Sequence, residues 1–138
     1  MDYREMAGDF LRLRAEHIKS AVGRERERNS HGELLALSRL YSRDEGVYPR
    51  TLSRELGVSS ARVAAMLGDM EEKGWIHREP DPGDSRHILV SLTPLGREVA
   101  LARRQGAVEA LAGIFQRLGP EDTGELIRIL KRLNEICT

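Results

Sequence analysis

The stretch that decides the fold runs from residue 74 to residue 96 and reads GWIHREPDPGDSRHILVSLTPLG. Two short apolar segments, 75–79 and 87–92, flank seven polar residues rich in proline, glycine and aspartate, which set turn geometry. This pattern predicts a β-hairpin with a long projecting loop. Apolar and polar residues alternate in the second strand, so one of its faces is expected to be buried. The residues on that face are Ile88, Val90 and Leu92.

The segments around this hairpin predict short helices with recognisable ends. Pro49 opens a first helix that stops at the C-cap Gly57, and Ser59 caps a second helix immediately afterwards. After the hairpin, Thr93 is expected to cap a long helix that begins at Pro94. Helix, glycine-containing turn, helix and hairpin together are the layout of a winged helix-turn-helix, a nucleic-acid-binding fold.

The helix after Ser59 carries two contrasting faces. One is apolar and is expected to face the core, with Val63, Met66, Leu67 and Met70. The other is made of small residues with one arginine on its flank, namely Ser60, Ala61, Ala64, Ala65, Gly68 and Arg62. A small-residue face suits close approach by another protein surface. It equally suits a DNA major groove, where serine hydroxyls reach phosphates or base edges and alanine methyls contact thymine methyls. The hairpin directly behind the helix favours DNA.

The fold class predicted for residues 1–138 is a single domain, mainly α with a small β-hairpin wing. A winged-helix module at 31–92 is flanked by amphipathic helices at 1–28 and 94–138. One small module cannot cover all of these apolar stripes, so we expect them to be buried in a second copy of the chain. The residues expected at that dimer interface are Tyr3, Met6, Phe10, Leu126, Ile129, Leu130, Leu133 and Ile136.

Composition limits the classes of function. The 22 lysines and arginines balance 22 aspartates and glutamates, so phosphate binding would depend on where the arginines sit and on helix N-termini. No apolar run reaches the roughly 20 residues of a membrane span, and no targeting segment is recognisable. The single cysteine, Cys137, cannot form an intramolecular disulfide. These features predict a cytoplasmic protein that does not enter a membrane.

Catalytic chemistry finds no support in the sequence. The four histidines have no ligand spacing with one another or with the cysteine, and acidic residues are dispersed. Neither a phosphate-binding glycine-rich loop nor a nucleophile elbow occurs. We therefore expect no enzyme activity, no catalytic residue, no bound metal and no cofactor.

Over nearly its whole length the sequence resembles the MarR family of winged-helix transcription regulators. The wing pattern carries most of the specificity, since a helix-turn-helix alone would be a weak signal. The matching residues are Leu52–Val58, Ser59, Val63, Leu67, Met70, Glu71, Lys73 and Gly74, followed by Arg78, Pro80, Asp84, Arg86, Val90, Leu92, Thr93 and Gly96. The resemblance implies a homodimer with interlocked terminal helices. It also implies repression at a pseudo-palindromic operator in double-stranded DNA, relieved by a small aromatic or phenolic effector.

The resemblance also implies roles for individual residues. Arg86 matches a wing arginine that enters the minor groove, and Asp84 matches the acid that holds it. With His87, which lies beside Arg86, the expected DNA-binding residues are Ser59, Ser60, Arg62, Ala64, Ala65, Asp84, Arg86 and His87. The effector is expected in an apolar cavity between the dimerisation and DNA-reading regions. Its candidate contacts are His17, Leu37 and Tyr41.

Three positions depart from the family pattern. Ala65 stands where relatives frequently carry a large polar or basic reader, and Tyr48 stands where a Ser or Thr helix cap is common. Redox-sensing relatives carry their cysteine near the N-terminus, so Cys137 is expected to be incidental. A second function stays open: a winged-helix dimer that acts through protein–protein interaction, as an antirepressor or sequestering partner. The balanced charge and the small-residue helix face favour that alternative.

Overall fold

The structure, a computed structural model, describes residues 1–19 and 31–138. Its helices and strands, in chain order, are α1 (Tyr3–Lys19), α2 (His31–Tyr41), α3 (Pro49–Leu56), α4 (Ser60–Glu72), β1 (Ile76–Asp81), β2 (Asp84–Leu92), α5 (Pro94–Leu118) and α6 (Pro120–Cys137). The two strands pair antiparallel. The prediction of a mainly helical fold with one hairpin is confirmed. None of the helices in the described ranges is long and apolar enough for a membrane crossing.

The chain divides into two compact units, Met1–Ala100 and Leu101–Thr138. The first unit holds an aliphatic core to which α2, α3, α4, the base of the hairpin and the start of α5 all contribute. Its buried residues are Ala36, Leu37, Leu40, Val47, Leu52, Val63, Leu67, Met70, Ile76, Val90, Leu92 and Ala100. The core contains no aromatic ring among these residues, in keeping with a chain that is only 4% aromatic.

The helix-turn-helix forms where its cap residues predict. Gly57 ends α3 in the left-handed region at φ 67°, and its N–H donates to the carbonyl of Ser53. The Ser59 hydroxyl accepts from the backbone N–H of Arg62 at 3.2 Å, which caps α4. Gly74, at φ 78°, lets the chain leave α4 and enter the hairpin.

The prediction of a seven-residue loop at the wing tip is wrong. The strands continue until Asp81 pairs with Asp84, which leaves a two-residue turn, and the register shifts between Pro80 and Asp81. A proline is tolerated there because each strand of a two-stranded sheet has a free edge. Asp81 closes the turn itself, since its Oδ1 accepts from the N–H of Gly83 at 3.0 Å.

The hairpin is held at its base and projects at its tip. Val90 exchanges two main-chain hydrogen bonds of 2.9 Å with Val47, and the two residues form an isolated β-bridge beside the hairpin. Val90 and Leu92 are buried as predicted, whereas Ile88 is 46% exposed. The prediction that Ile88 is buried is therefore wrong, because the strand extends beyond the edge of the core.

The junction between the hairpin and α5 is tightly packed. Thr93 donates its hydroxyl to the carbonyl of Gly74 at 2.6 Å and accepts from the N–H of Gly96 at 3.0 Å. Thr93 therefore caps α5 as predicted. A Cβ on Gly96 would lie only 1.9 Å from the carbonyl oxygen of Trp75. Only glycine fits at this position without a backbone shift.

The terminal helices leave their apolar residues uncovered within the chain. Of the helix predicted for residues 2–22, residues 3–19 are helical, and the remainder lies outside the described residues. Every described side chain of α1 is exposed, and α6 buries none of its residues. Gly119, at φ 99°, separates α5 from α6, and Pro120 opens α6 as predicted.

Candidate nucleic-acid interface

One side of α4 is a smooth exposed surface made of small residues. The predicted DNA-binding residues of this helix all lie on the exposed side, and they are Ser59, Ser60, Arg62, Ala64 and Ala65. Val63, Leu67 and Met70 are buried on the opposite side. Short side chains on the exposed side allow the helix backbone to come close to a groove wall or to another protein.

The tip of the wing presents an arginine already held in place. The side chain of Arg86 is 86% exposed, while that of Asp84 is only 33% exposed. The guanidinium donates two hydrogen bonds of 3.0 Å to the Asp84 carboxylate, from Nε to Oδ1 and from Nη2 to Oδ2. The backbone N–H of Arg86 adds a third bond of 3.1 Å to Oδ1. Paired donors and acceptors of this kind fix the plane of the guanidinium.

The same contacts keep both groups ionised. The side-chain and backbone hydrogen bonds from Arg86 lower the pKa of Asp84 below its ordinary value of 3.8. The hydrogen bond to Asp84 raises the pKa of Arg86. The pair is therefore fully charged at neutral pH, which is the state that an Arg86–phosphate contact requires.

His87, the third wing residue predicted to touch DNA, faces its own protein on two sides. Its Nε2 lies 3.6 Å from Oδ2 of Asp84. Its ring meets the ring of Tyr48 edge-on, with 5.8 Å between centroids and 67° between planes. Its neighbours are therefore Asp84 on the wing and Tyr48 at the start of α3, and its predicted contact with DNA stays a prediction.

Sequence reasoning missed a link between the helix-turn-helix and the wing. Tyr48 is the N-cap of α3 but makes no side-chain cap; its hydroxyl donates to Oδ2 of Asp81 in the wing. The Arg50 guanidinium lies 5.5 Å from the centre of the Tyr48 ring. The hydrogen bond raises the pKa of Tyr48 and lowers the pKa of Asp81. The signal in the sequence was the unusual tyrosine at a cap position.

Two further ion pairs tie the end of α4 to its surroundings. The Nζ of Lys73 lies 3.0 Å from Oε1 of the buried Glu33 and 4.6 Å from the centre of the Trp75 ring. The Nε of Arg78 on β1 lies 3.4 Å from Oε2 of Glu71, near the end of α4. Lys73 and Arg78 therefore have partners within the protein, and these contacts orient α4 and the base of the wing.

The three effector candidates have different surroundings. Leu37 is fully buried in the core, and Tyr41, one turn further along α2, is 39% exposed. The Arg97 guanidinium lies 5.9 Å from the centre of the Tyr41 ring. The side chain of His17 lies outside the described residues. Within residues 1–19 and 31–138, no cluster of three His, Cys, Asp or Glu residues could hold a metal ion.

Comparison with known sequences places this arrangement among bacterial regulators. Residues 30–87 match the family model described as MarR family. The chain is 30% identical over 133 residues to the uncharacterized HTH-type transcriptional regulator YkoM of Bacillus subtilis, covering 93% of this chain and 86% of that protein. It is 40% identical over 88 residues to the multiple antibiotic resistance protein MarR of Salmonella typhimurium, covering 63% of this chain and 61% of that protein. The chain spans only 60–63% of the length of several such relatives.

Solved structures match this fold over nearly the full length of the chain. The transcriptional regulator BldR from Sulfolobus solfataricus superimposes with a TM-score of 0.78 at 19% identity, covering 98% of this chain and 99% of BldR. Streptococcus pneumoniae FabT, solved in complex with DNA, gives a TM-score of 0.72 at 20% identity, covering 99% of this chain and 97% of FabT. At these identities the likeness establishes the fold.

Proposed function

The chain belongs to the MarR family of transcriptional regulators, and from that premise we propose that it is a homodimeric, sequence-specific DNA-binding repressor released by a small ligand. The family and the relatives are regulators and not enzymes. A protein with this role acts where the chromosome lies, which for a bacterium is the cytoplasm.

The observation that carries the proposal is the combination of two surfaces in one compact unit. The small exposed face of α4 suits the major groove, into which a recognition helix fits. The outward guanidinium of Arg86 suits the minor groove, whose negative potential is strongest where A·T-rich sequence narrows it. FabT and Staphylococcus aureus MepR, two proteins of the same fold, are known in complex with DNA, which is in keeping with this use of the two surfaces.

The uncovered apolar residues of α1 and α6 support the homodimer. The eight side chains predicted at the interface are between 39% and 77% exposed within the single chain. Large apolar side chains that are this exposed along one helix face are typical of a protein–protein interface. A two-fold dimer would bury the same patch on both copies and present two wings to the two halves of a palindromic operator.

The effector would bind beside α2, where the candidate contacts Leu37 and Tyr41 lie. Tyr41 offers a partly exposed ring with a hydroxyl, whereas the buried Leu37 could contribute only an apolar wall. A panel of small aromatic acids and phenols, assayed by thermal shift and by release of bound DNA, tests this step. If no compound has either effect, constitutive repression or another signal replaces ligand release.

An electrophoretic mobility shift with the promoter next to the protein's own gene tests the function as a whole. We expect a sequence-dependent shift at low salt that survives an excess of unrelated DNA. Failure to shift, together with co-purification of another regulator, would instead support a winged-helix dimer that acts as an antirepressor. The exposed small-residue face of α4 is compatible with that second candidate, because such a face also accommodates a protein surface.

A further inference from the structure

The wing tip has little packing of its own. On β2, residues 85–88 are exposed, and the buried positions of the strand begin only at Val90. An isolated two-stranded hairpin is at best marginally stable in water. The position of the tip relative to α4 therefore depends on the few side chains that connect it to the helices.

Tyr48 touches both strands of the tip at once. Its hydroxyl bonds to Asp81, the last residue of β1, and its ring meets His87 on β2 at 5.8 Å. The hydroxyl bond joins residues 33 positions apart in the sequence. Because Tyr48 is also the N-cap of α3, it connects the wing tip to the first helix of the helix-turn-helix.

The same contacts keep the acidic groups of the tip engaged. Asp81 accepts from the N–H of Gly83 through Oδ1 and from Tyr48 through Oδ2, while Asp84 is held by Arg86. A carboxylate released from such contacts would be free to face phosphate groups and would repel them. The raised pKa of Tyr48 and the lowered pKa of Asp81 keep the hydroxyl a donor and the carboxylate an acceptor at neutral pH.

From these contacts we propose that Tyr48 is a positioning residue for DNA binding: its bond to Asp81 fixes the wing tip so that Arg86 reaches the minor groove while α4 occupies the major groove. The inference rests on the proposed function and deepens it. Tyr48 acts through the wing, and it needs no contact with DNA of its own.

The test is a double-mutant cycle between Tyr48→Phe and Arg86→Ala, with operator affinity measured by fluorescence anisotropy. Tyr48→Phe removes the hydroxyl and keeps the ring beside His87 and Arg50. We expect the single variant to weaken operator binding about fivefold, as for the loss of one ordinary hydrogen bond. In the Arg86→Ala background the same change is expected to have no further effect, because the contact through which it acts is already lost.

Two more variants complete the design. Asp81→Ala removes the acceptor together with the bond to Gly83, so it is expected to weaken operator binding in the parent and to have no further effect in the Arg86→Ala background. Asp44→Ala is the matched control, because it also removes a paired surface carboxylate, but one whose partner is Arg97 at 2.8 Å and not a wing residue. Its operator affinity is expected to equal that of the parent. Melting temperatures recorded in parallel identify any variant that fails to fold. If Asp81→Ala fails to fold, the conclusion is drawn from Tyr48→Phe, which is the smallest change.

The possible outcomes separate the inference from the proposed function. If the parent shows no sequence-dependent binding, the proposed function fails and the inference fails with it. If the parent binds and Arg86→Ala weakens it while Tyr48→Phe binds as tightly as the parent, only the role of Tyr48 is overturned. Equal weakening by Tyr48→Phe in both backgrounds would also overturn it, because that result indicates a general structural effect.

Discussion

The helix-turn-helix with its wing and the two terminal helices carry the same kind of amphipathic pattern, yet only the former buries its apolar residues within the chain. Leu52 and Leu67 are at most 1% exposed, whereas Phe10 in α1 is 63% exposed and Leu130 in α6 is 48% exposed. An amphipathic pattern indicates that a helix has a face to bury, but it does not identify what buries that face. The first region finds its cover locally, and we expect the second to find it in another copy of the chain.

Truncating one leucine in each region gives the largest expected effect. Leu52→Ala should destabilise the protein by about 2–5 kcal/mol, because it opens a cavity in a filled core. That loss should not depend on protein concentration. Leu130→Ala should instead lower the melting temperature in a concentration-dependent manner, since it weakens association. Thermal denaturation at several concentrations, combined with sedimentation, distinguishes the two, and identical behaviour of both variants would remove the contrast.

A pair of glycine substitutions sharpens the same contrast. Gly96→Ala should destabilise the protein by about 1–3 kcal/mol or more, because its Cβ would collide with the Trp75 carbonyl. Gly113 in α5 has no such neighbour within 4 Å, so Gly113→Ala should stabilise the isolated chain by about 0.5–1 kcal/mol. Circular dichroism melts measure both. Loss of the dimer in Gly113→Ala would show that a partner helix packs on this glycine.

Within the proposed DNA-binding surface, the wing presents an arginine held by Asp84, whereas the exposed face of α4 presents small side chains. Arg86→Ala should weaken binding to every operator by about 1–3 kcal/mol and reduce the salt dependence by about one unit, as expected when one cationic contact is lost. Ser60→Ala should change sequence preference and leave the salt dependence nearly unchanged. Asp84→Ala should have a mild effect in the parent and none in the Arg86→Ala background. Unchanged binding by Arg86→Ala across a salt titration would contradict the wing contact.

The smallest expected effect is on acid titration. The pKa of Asp81 and that of Asp84 lie below the ordinary 3.8 through their hydrogen bonds to Tyr48 and Arg86. Their stabilising contacts are therefore complete above that value and are lost as the pH falls through the lowered pKa. In the Tyr48→Phe variant, an NMR titration of the carboxyl groups should show a higher pKa for Asp81 than in the parent. Glu125 in α6, whose pKa is lowered by Arg128, should not move and serves as the control.

The features predicted correctly from the sequence are those that act over a few residues. Gly57, Ser59 and Pro94 set helix ends through their own backbone or a neighbouring N–H, so their positions sufficed. The Asp84–Arg86 pair, expected from the family resemblance, spans only two positions. Alternation identified the buried face of β2 but not where the core ends along it, which is why Ile88 was misplaced. The Tyr48–Asp81 bond was missed because it depends on how distant segments come together.

The Val47–Val90 pairing is the point from which the wing projects, so a small rotation there would move the wing tip over a larger distance. Val90 and Asp84 are six positions apart on β2, so the hairpin extends about 20 Å beyond this pairing at about 3.3 Å per residue. A rotation of about 10° at the Val47–Val90 pairing would displace the tip by roughly 3–4 Å, which is half or more of the width of a minor groove of about 6 Å. Val47, which pairs with Val90, and Tyr48, whose bond to Asp81 limits rotation of the wing, are adjacent in the sequence. Both contacts therefore come from the same short segment. Small rotations of that segment would therefore produce large displacements at the wing tip, the end that we propose to contact DNA.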